Sequence, residues 1–161
     1  HRTGDPIPRP LVERIERAAT FNEGFATAEY LASALVDMRL HLAGDERVDP
    51  AAFERATLDA LGMPREIVMR HRTPQFAHVF GGDGYSAAYY SYLWADVLTA
   101  DAFQAFVEAG DPFDDDVAAR LRECVFSRGN TLDPAEAYRA FRGRDPSIDA
   151  LLEKRGFTVP W

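Results

Sequence analysis

Apolar residues recur at three- and four-residue spacing through most of this chain, and proline and glycine cut that pattern into blocks of roughly ten to twenty-five residues. No other feature constrains the fold as strongly. Nowhere do apolar and polar residues alternate over four or more positions with turn signals on both sides, so the expected class is all-α. The prolines of "DPIPRP" prevent a helix at the opening. "LVERIERAA" then predicts a first helix with Leu11 and Ile15 inward, ending near Thr20. Asn22 is placed to cap a second through "FNEGFATAEYLASALVDMRLHLA", and Asp49-Pro50 opens a third that stops at Gly62. A long helix is expected from about Ser86 to Gly110, with a bend near Thr99, Ala100 and Asp101. "DDDVAARLRECVFSRG", "DPAEAYRAFRG" and "SIDALLEKRG" each close on a glycine, which brings the expectation to about seven helices in a single helical domain over residues 1–161.

Charge and cysteine usage narrow the function classes. A net charge of −8 without a basic stripe opposes a nucleic-acid partner, because phosphate binding depends on clustered cations that release counterions. Asp114, Asp115 and Asp116 read as a helix N-terminus, where acids complement the dipole, and not as a metal site. Cys124 is the sole cysteine, so neither an intramolecular disulfide nor a cysteine-based zinc site is available. It reads as a buried structural thiol, and a reducing, cytoplasmic location is expected. No apolar run approaches the length of a membrane helix, so no membrane partner is expected. The histidines are His1, His41, His71 and His78. Asp37 with His41 is the one helical i, i+4 pairing of a histidine with a carboxylate, and that spacing is common by chance. No native metal is expected here, and an ion at His1 would be adventitious.

Residues 76–94, "FAHVFGGDGYSAAYYSYLW", stand apart: one histidine, three glycines and four tyrosines in one short block. Gly81, Gly82 and Gly84 allow positive φ and close approach of another chain, which predicts a flexible loop emptying into a helix. A phosphate loop is excluded, since no Gly-Lys-Ser/Thr follows. Tyr85 and Tyr92 are seven residues apart, so if the helix extends back to Tyr85 both phenols share a face about 10.5 Å apart along the axis. A phenol can donate to a developing oxyanion, and His78 could contact the same group from the adjoining loop. The pattern alone leaves open whether this is a site or a core helix whose tyrosines cap local carbonyls. Tyr89, Tyr90 and Trp94 are assigned to packing.

The same block, "FAHVFGGDGYSAAYYSYLWADVLTADAF", resembles the C-terminal signature of the thimet oligopeptidase, oligopeptidase A and bacterial peptidyl-dipeptidase family of zinc metallopeptidases. The shared pattern is a His, a Gly-Gly loop, a Tyr and a Tyr-Tyr-x-Tyr-Leu-Trp helix, and the peptidyl-dipeptidase branch is most similar. "FNEGFATAEYLASALVDMRLH" resembles the helix preceding it, and "SRGNTLDPAEAYRAFRGRDPSIDALLEKRGF" the closing segment. The resemblance implies helices lining a substrate channel for short peptides. It further implies a catalytic role in oxyanion stabilisation for Tyr92, substrate and transition-state contacts for His78 and Tyr85, and a flexible cover formed by Gly81, Gly82 and Gly84. Members of the family hold catalytic zinc through a His-Glu-x-x-His helix and a later Glu, and the present sequence has no such motif. Zinc ligands and general base are therefore expected in a missing N-terminal part of the same polypeptide, and this chain alone is expected to be inactive. A stand-alone, non-catalytic peptide-binding module and a purely structural domain are the competing readings.

Overall fold

The computed structural model describes residues 3–157, and all regular structure among them is helical. The chain divides into two compact units, His1–Tyr92 and Leu93–Trp161. The first contains α1 (Arg9–Ala19), α2 (Glu23–Leu42), α3 (Pro50–Ala60), a 3-10 turn (Thr73–Gln75), the single-turn α4 (Ala77–Phe80) and a second 3-10 turn (Asp83–Tyr85). At its end begins α5 (Ser91–Ala109), which continues into the second unit. There it is followed by α6 (Asp115–Leu121), a π turn (Arg122–Phe126), α7 (Pro134–Arg142) and α8 (Asp149–Lys154). Seven of these α-helices exceed one turn, in line with the reading of the sequence.

In the first unit, packing departs from the periodic pattern. No residue of α1 is buried; Leu11 and Ile15, expected inward, are 45% and 61% exposed. Asn22 does not cap α2 with its side chain; it adopts the left-handed conformation, φ 59°, and serves as the turn between α1 and α2. The buried face of α2 is made of Ala32, Ser33, Ala34, Val36 and Asp37 rather than its leucines. Small side chains on that face let backbone come close. α3 starts as the sequence indicates, with Pro50 in its first turn and the Asp49 carboxylate accepting the Ala52 N–H at 2.8 Å. Glu54 on α3 is buried and accepts both the backbone N–H and the hydroxyl of Thr73 at 3.0 Å, while its other oxygen pairs with Arg72 Nε at 2.7 Å. One end of the aromatic block is thereby fixed to a helix.

In the second unit α5 continues without a break through Thr99, Ala100 and Asp101. Val97, Ala100 and Leu151 form one apolar cluster, and Ala105, Val117 and Phe141 another, against which the half-buried Cys124 packs. The aspartate cluster does cap a helix: Asp114 accepts the Val117 N–H at 2.8 Å. Asp101 is buried within a polar network, accepting from the Tyr138 hydroxyl at 2.6 Å, Arg142 Nε at 3.3 Å and Arg144 at 2.5 Å. Arg142 also forks onto Glu108 at 2.8 and 3.0 Å. Such a buried carboxylate is retained only where its partners satisfy it.

Burial by itself would raise the Asp101 pKa, but the hydrogen bonds from Tyr138, Arg142 and Arg144 outweigh it and hold the carboxyl below the usual aspartate range. A carboxyl depressed in the folded state stabilises fully above its unfolded pKa of about 3.9 and loses that contribution as pH falls through the folded value. Urea unfolding followed by circular dichroism is therefore expected to show this contribution constant from pH 7 to about 5 and declining below about pH 4. Asp101→Asn is expected to lower stability at pH 7 by about 1–3 kcal/mol, because it removes the charge that the buried Arg142 shares with Glu108 and sets an amide N–H against donors that had faced an acceptor, and to flatten the acid limb. Equal acid limbs in the two proteins would contradict the assignment.

Candidate functional site

The aromatic block is fixed at its far end by a second buried carboxylate. Asp37 of α2 accepts the Ala87 N–H on Oδ1 and the Tyr89 N–H on Oδ2, both at 3.1 Å, and His41 Nδ1 lies 2.9 Å from Oδ1. Ala87 takes the left-handed conformation, φ 55°, which a residue with a Cβ adopts only where something holds it. The chain consequently turns at residues 86–90, and α5 starts at Ser91 rather than near Ser86. Tyr85 and Tyr92 do meet, but not through helical register. The turn folds Tyr85 back, and the two rings stack at 6.5 Å between centroids, 10° from parallel.

Above this turn His78, Tyr85 and Tyr92 come together. His78 sits on α4, with Nε2 2.8 Å from the Tyr92 hydroxyl and its ring 4.3 Å from that of Tyr85. All three are exposed, so a ligand can reach them. Beneath them Tyr89 stacks on Tyr30 at 5.0 Å, meets the buried Phe76 edge-on at 4.8 Å, and accepts the Tyr30 hydroxyl on its carbonyl. Tyr89 thus packs as expected. Tyr90 and Trp94, assigned to packing with it, are only half-buried, at 52% and 51% exposed.

Partial desolvation, followed by the electrostatics of the adjacent Tyr85 phenol and a hydrogen bond with it, raises the Tyr92 pKa above the ordinary tyrosine value. At neutral pH Tyr92 is a protonated O–H donor. In the Nε2–H tautomer of His78 the imidazole donates to the phenol oxygen, and the phenol hydrogen is left to turn between Tyr85 and a ligand; in the Nδ1–H tautomer Nε2 accepts that hydrogen instead.

The glycines act differently from expectation. None of Gly81, Gly82 and Gly84 has a left-handed φ, and Gly82 is extended at φ 165°. Gly81 is the position that excludes a side chain: a Cβ there would lie 2.6 Å from the Ala77 carbonyl oxygen. The crowding is with its own chain. Gly82 and Gly84 face open space, and the loop contains the 3-10 turn Asp83–Tyr85.

Among the described residues no group of three or more His, Cys, Asp or Glu could hold a metal ion. His41 is bonded to Asp37 and stacked on Phe80, and His71 is stacked on Phe76. The remaining histidine, His1, lies outside the described residues. The described residues do not fit a catalytic zinc. The sequence marks Asp37 only as the i, i+4 partner of His41, a pair the structure does form, and gives no hint that it also holds the block; Glu54, the other carboxylate that places it, goes unmarked, and the available signal for Asp37 was an acid inside the otherwise apolar "ALVDM" of α2.

A family model described as Peptidase family M3 matches residues 1–157. The dipeptidyl carboxypeptidase of Salmonella typhimurium is 40% identical over 158 residues, covering 96% of this chain and 23% of its own length. That of Escherichia coli is 38% identical, covering 99% and 24%, and oligopeptidase A of Escherichia coli is 36% identical, covering 97% and 23%. The chain spans under a quarter of the length of these curated relatives.

The glycine geometry sets an order of substitution costs. Gly81→Ala is expected to lower stability by about 1–3 kcal/mol, since backbone must move to relieve the contact, whereas Gly82→Ala and Gly84→Ala should stay within about 0.5 kcal/mol of the parent. Denaturant unfolding of the three variants checks this. Equal costs at all three positions would show that the loop is not constrained at Gly81.

Proposed function

Since the chain belongs to peptidase family M3, we propose that it is the substrate-contacting and transition-state-stabilising part of a larger peptidase that hydrolyses short peptides. A dipeptide-releasing specificity and a cytoplasmic location complete the proposal. The observation that carries it is the exposed group formed by His78, Tyr85 and Tyr92, with Nε2 and the Tyr92 hydroxyl 2.8 Å apart. Catalytic zinc, where bound, supplies Lewis-acid chemistry. Its ligands are proposed to lie in the remainder of the polypeptide.

When water adds to a peptide carbonyl, negative charge develops on the carbonyl oxygen. A neutral phenol aimed at that oxygen gains most once the charge appears, so Tyr92 lowers the barrier rather than tightening substrate binding. His78 orients the phenol by donating from Nε2 to its oxygen, leaving the phenol hydrogen for the oxyanion. Tyr85, stacked on Tyr92 and tilted against His78, presents its own hydroxyl to the substrate. The Gly81–Gly84 region borders this group as a turn over which a peptide can pass.

In the complete polypeptide Tyr92→Phe is expected to lower kcat by about 10²-fold or more, a loss of roughly 2.7–4 kcal/mol, with KM and metal content nearly unchanged. Tyr90→Phe, at a half-exposed tyrosine outside the trio, serves as the control with little effect. A Tyr92→Phe enzyme as fast as that control would end the assignment of Tyr92 to chemistry. The 161-residue chain supplied with zinc is expected to cleave no short peptide. Chelator-sensitive cleavage that co-purifies with it and is lost in Tyr92→Phe would contradict the division of labour proposed here.

A further inference from the structure

We propose that Asp37 is the positioning residue of the tyrosine and histidine group: it sets the turn at residues 86–90 and thereby holds Tyr85 and Tyr92 against His78. An acid in the interior of a helix is a poor helix former and a costly buried group. Asp37 is 2% exposed, and α2 makes no use of its carboxylate for capping. Both oxygens are instead turned to the incoming chain, one on Ala87 N–H and one on Tyr89 N–H, with His41 closing the arrangement. Those two amides fall between Tyr85 and Tyr92. Ala87 alone would resist its left-handed φ of 55°, so the bonds to its own N–H and to that of Tyr89 are what keep the turn closed.

The geometry gives Asp37 a role that an ordinary packing residue would lack. A neutral amide of the same shape offers a single acceptor oxygen and sets its NH2 against the other backbone donor. Asp37→Asn therefore releases at least one amide and loosens the turn while leaving the apolar packing of α2 in place. The release should also be correctable from the turn itself. Ala87→Gly removes the steric cost of left-handed φ and so restores the closed turn without the carboxylate.

The test has two arms. In the chain itself, Asp37→Asn is expected to speed amide exchange at Ala87, Tyr89 or both by about tenfold or more, with Ala34 and Val36 of α2 unchanged, and Asp37→Asn/Ala87→Gly to recover part of the protection. In the complete polypeptide, an arm that rests on the function proposed above, Asp37→Asn is expected to lower kcat by about tenfold or more at unchanged metal content, and Ala87→Gly to restore part of kcat in that background. Unchanged exchange at both amides overturns the proposal, as does loosening that leaves kcat at the parental value. If Asp37→Asn alone does not fold, the double variant carries the same comparison against Ala87→Gly. A parental polypeptide without peptidase activity would refute the proposed function, and the exchange arm would still decide the role of Asp37.

Discussion

The arrangement of the aromatic block depends on one buried carboxylate bridging two backbone amides. Asp37 lies on the small-residue face of α2, and its bonds to Ala87 and Tyr89 reach across fifty residues of sequence or more. Hydrogen bonds to a charged acceptor contribute about 1.5–3 kcal/mol each. The left-handed conformation of a residue with a Cβ costs roughly 1–2 kcal/mol. Two such bonds therefore outweigh the strain at Ala87, and the turn is a stable feature rather than a passing one. Glu54 performs the matching service at Thr73, so the block is tied to α3 at its start and to α2 near its end.

Between and just beyond these two anchors exposed rings of His78, Tyr85 and Tyr92 make short contacts. Tyr89 fills the space under the group, held by Tyr30 and Phe76, and gives His78 and Tyr92 an aromatic floor while their polar tips stay exposed. Preorganisation of this kind matters for a donor directed at a developing charge, because no reorganisation is then needed as the charge forms. The buried network around Asp101 in the second unit shows the same rule in another setting: a carboxylate taken from water is matched by donors on every side.

Much of this was legible in the sequence. Helical spacing with proline and glycine punctuation gave the class and most helix positions, and the Asp49-Pro50 and Asp114 starts were read from local capping chemistry alone. The block of residues 76–94 was recognisable by its composition, and the residues named from it, His78, Tyr85 and Tyr92, are the ones that meet. The route by which they meet was not legible. It turns on a left-handed alanine, which no propensity favours, held by an acid on another helix. The same non-local bonds put the start of α5 at Ser91, later than helical spacing indicates. Periodicity marks a face as apolar without saying whether anything covers it, which is why Leu11 and Ile15 were expected inside and are exposed.

The central claim is that the chain by itself assembles the group formed by His78, Tyr85 and Tyr92. Proton nuclear Overhauser spectroscopy of the isolated chain tests it most directly, since ring centroids 4.3 Å apart for His78 and Tyr85 place their protons well within range. The account expects cross-peaks from His78 to both tyrosine rings alongside those between Tyr30 and Tyr89. Cross-peaks between Tyr30 and Tyr89 with none from His78 to Tyr85 or Tyr92 would show a folded unit whose site is not assembled, and would contradict it.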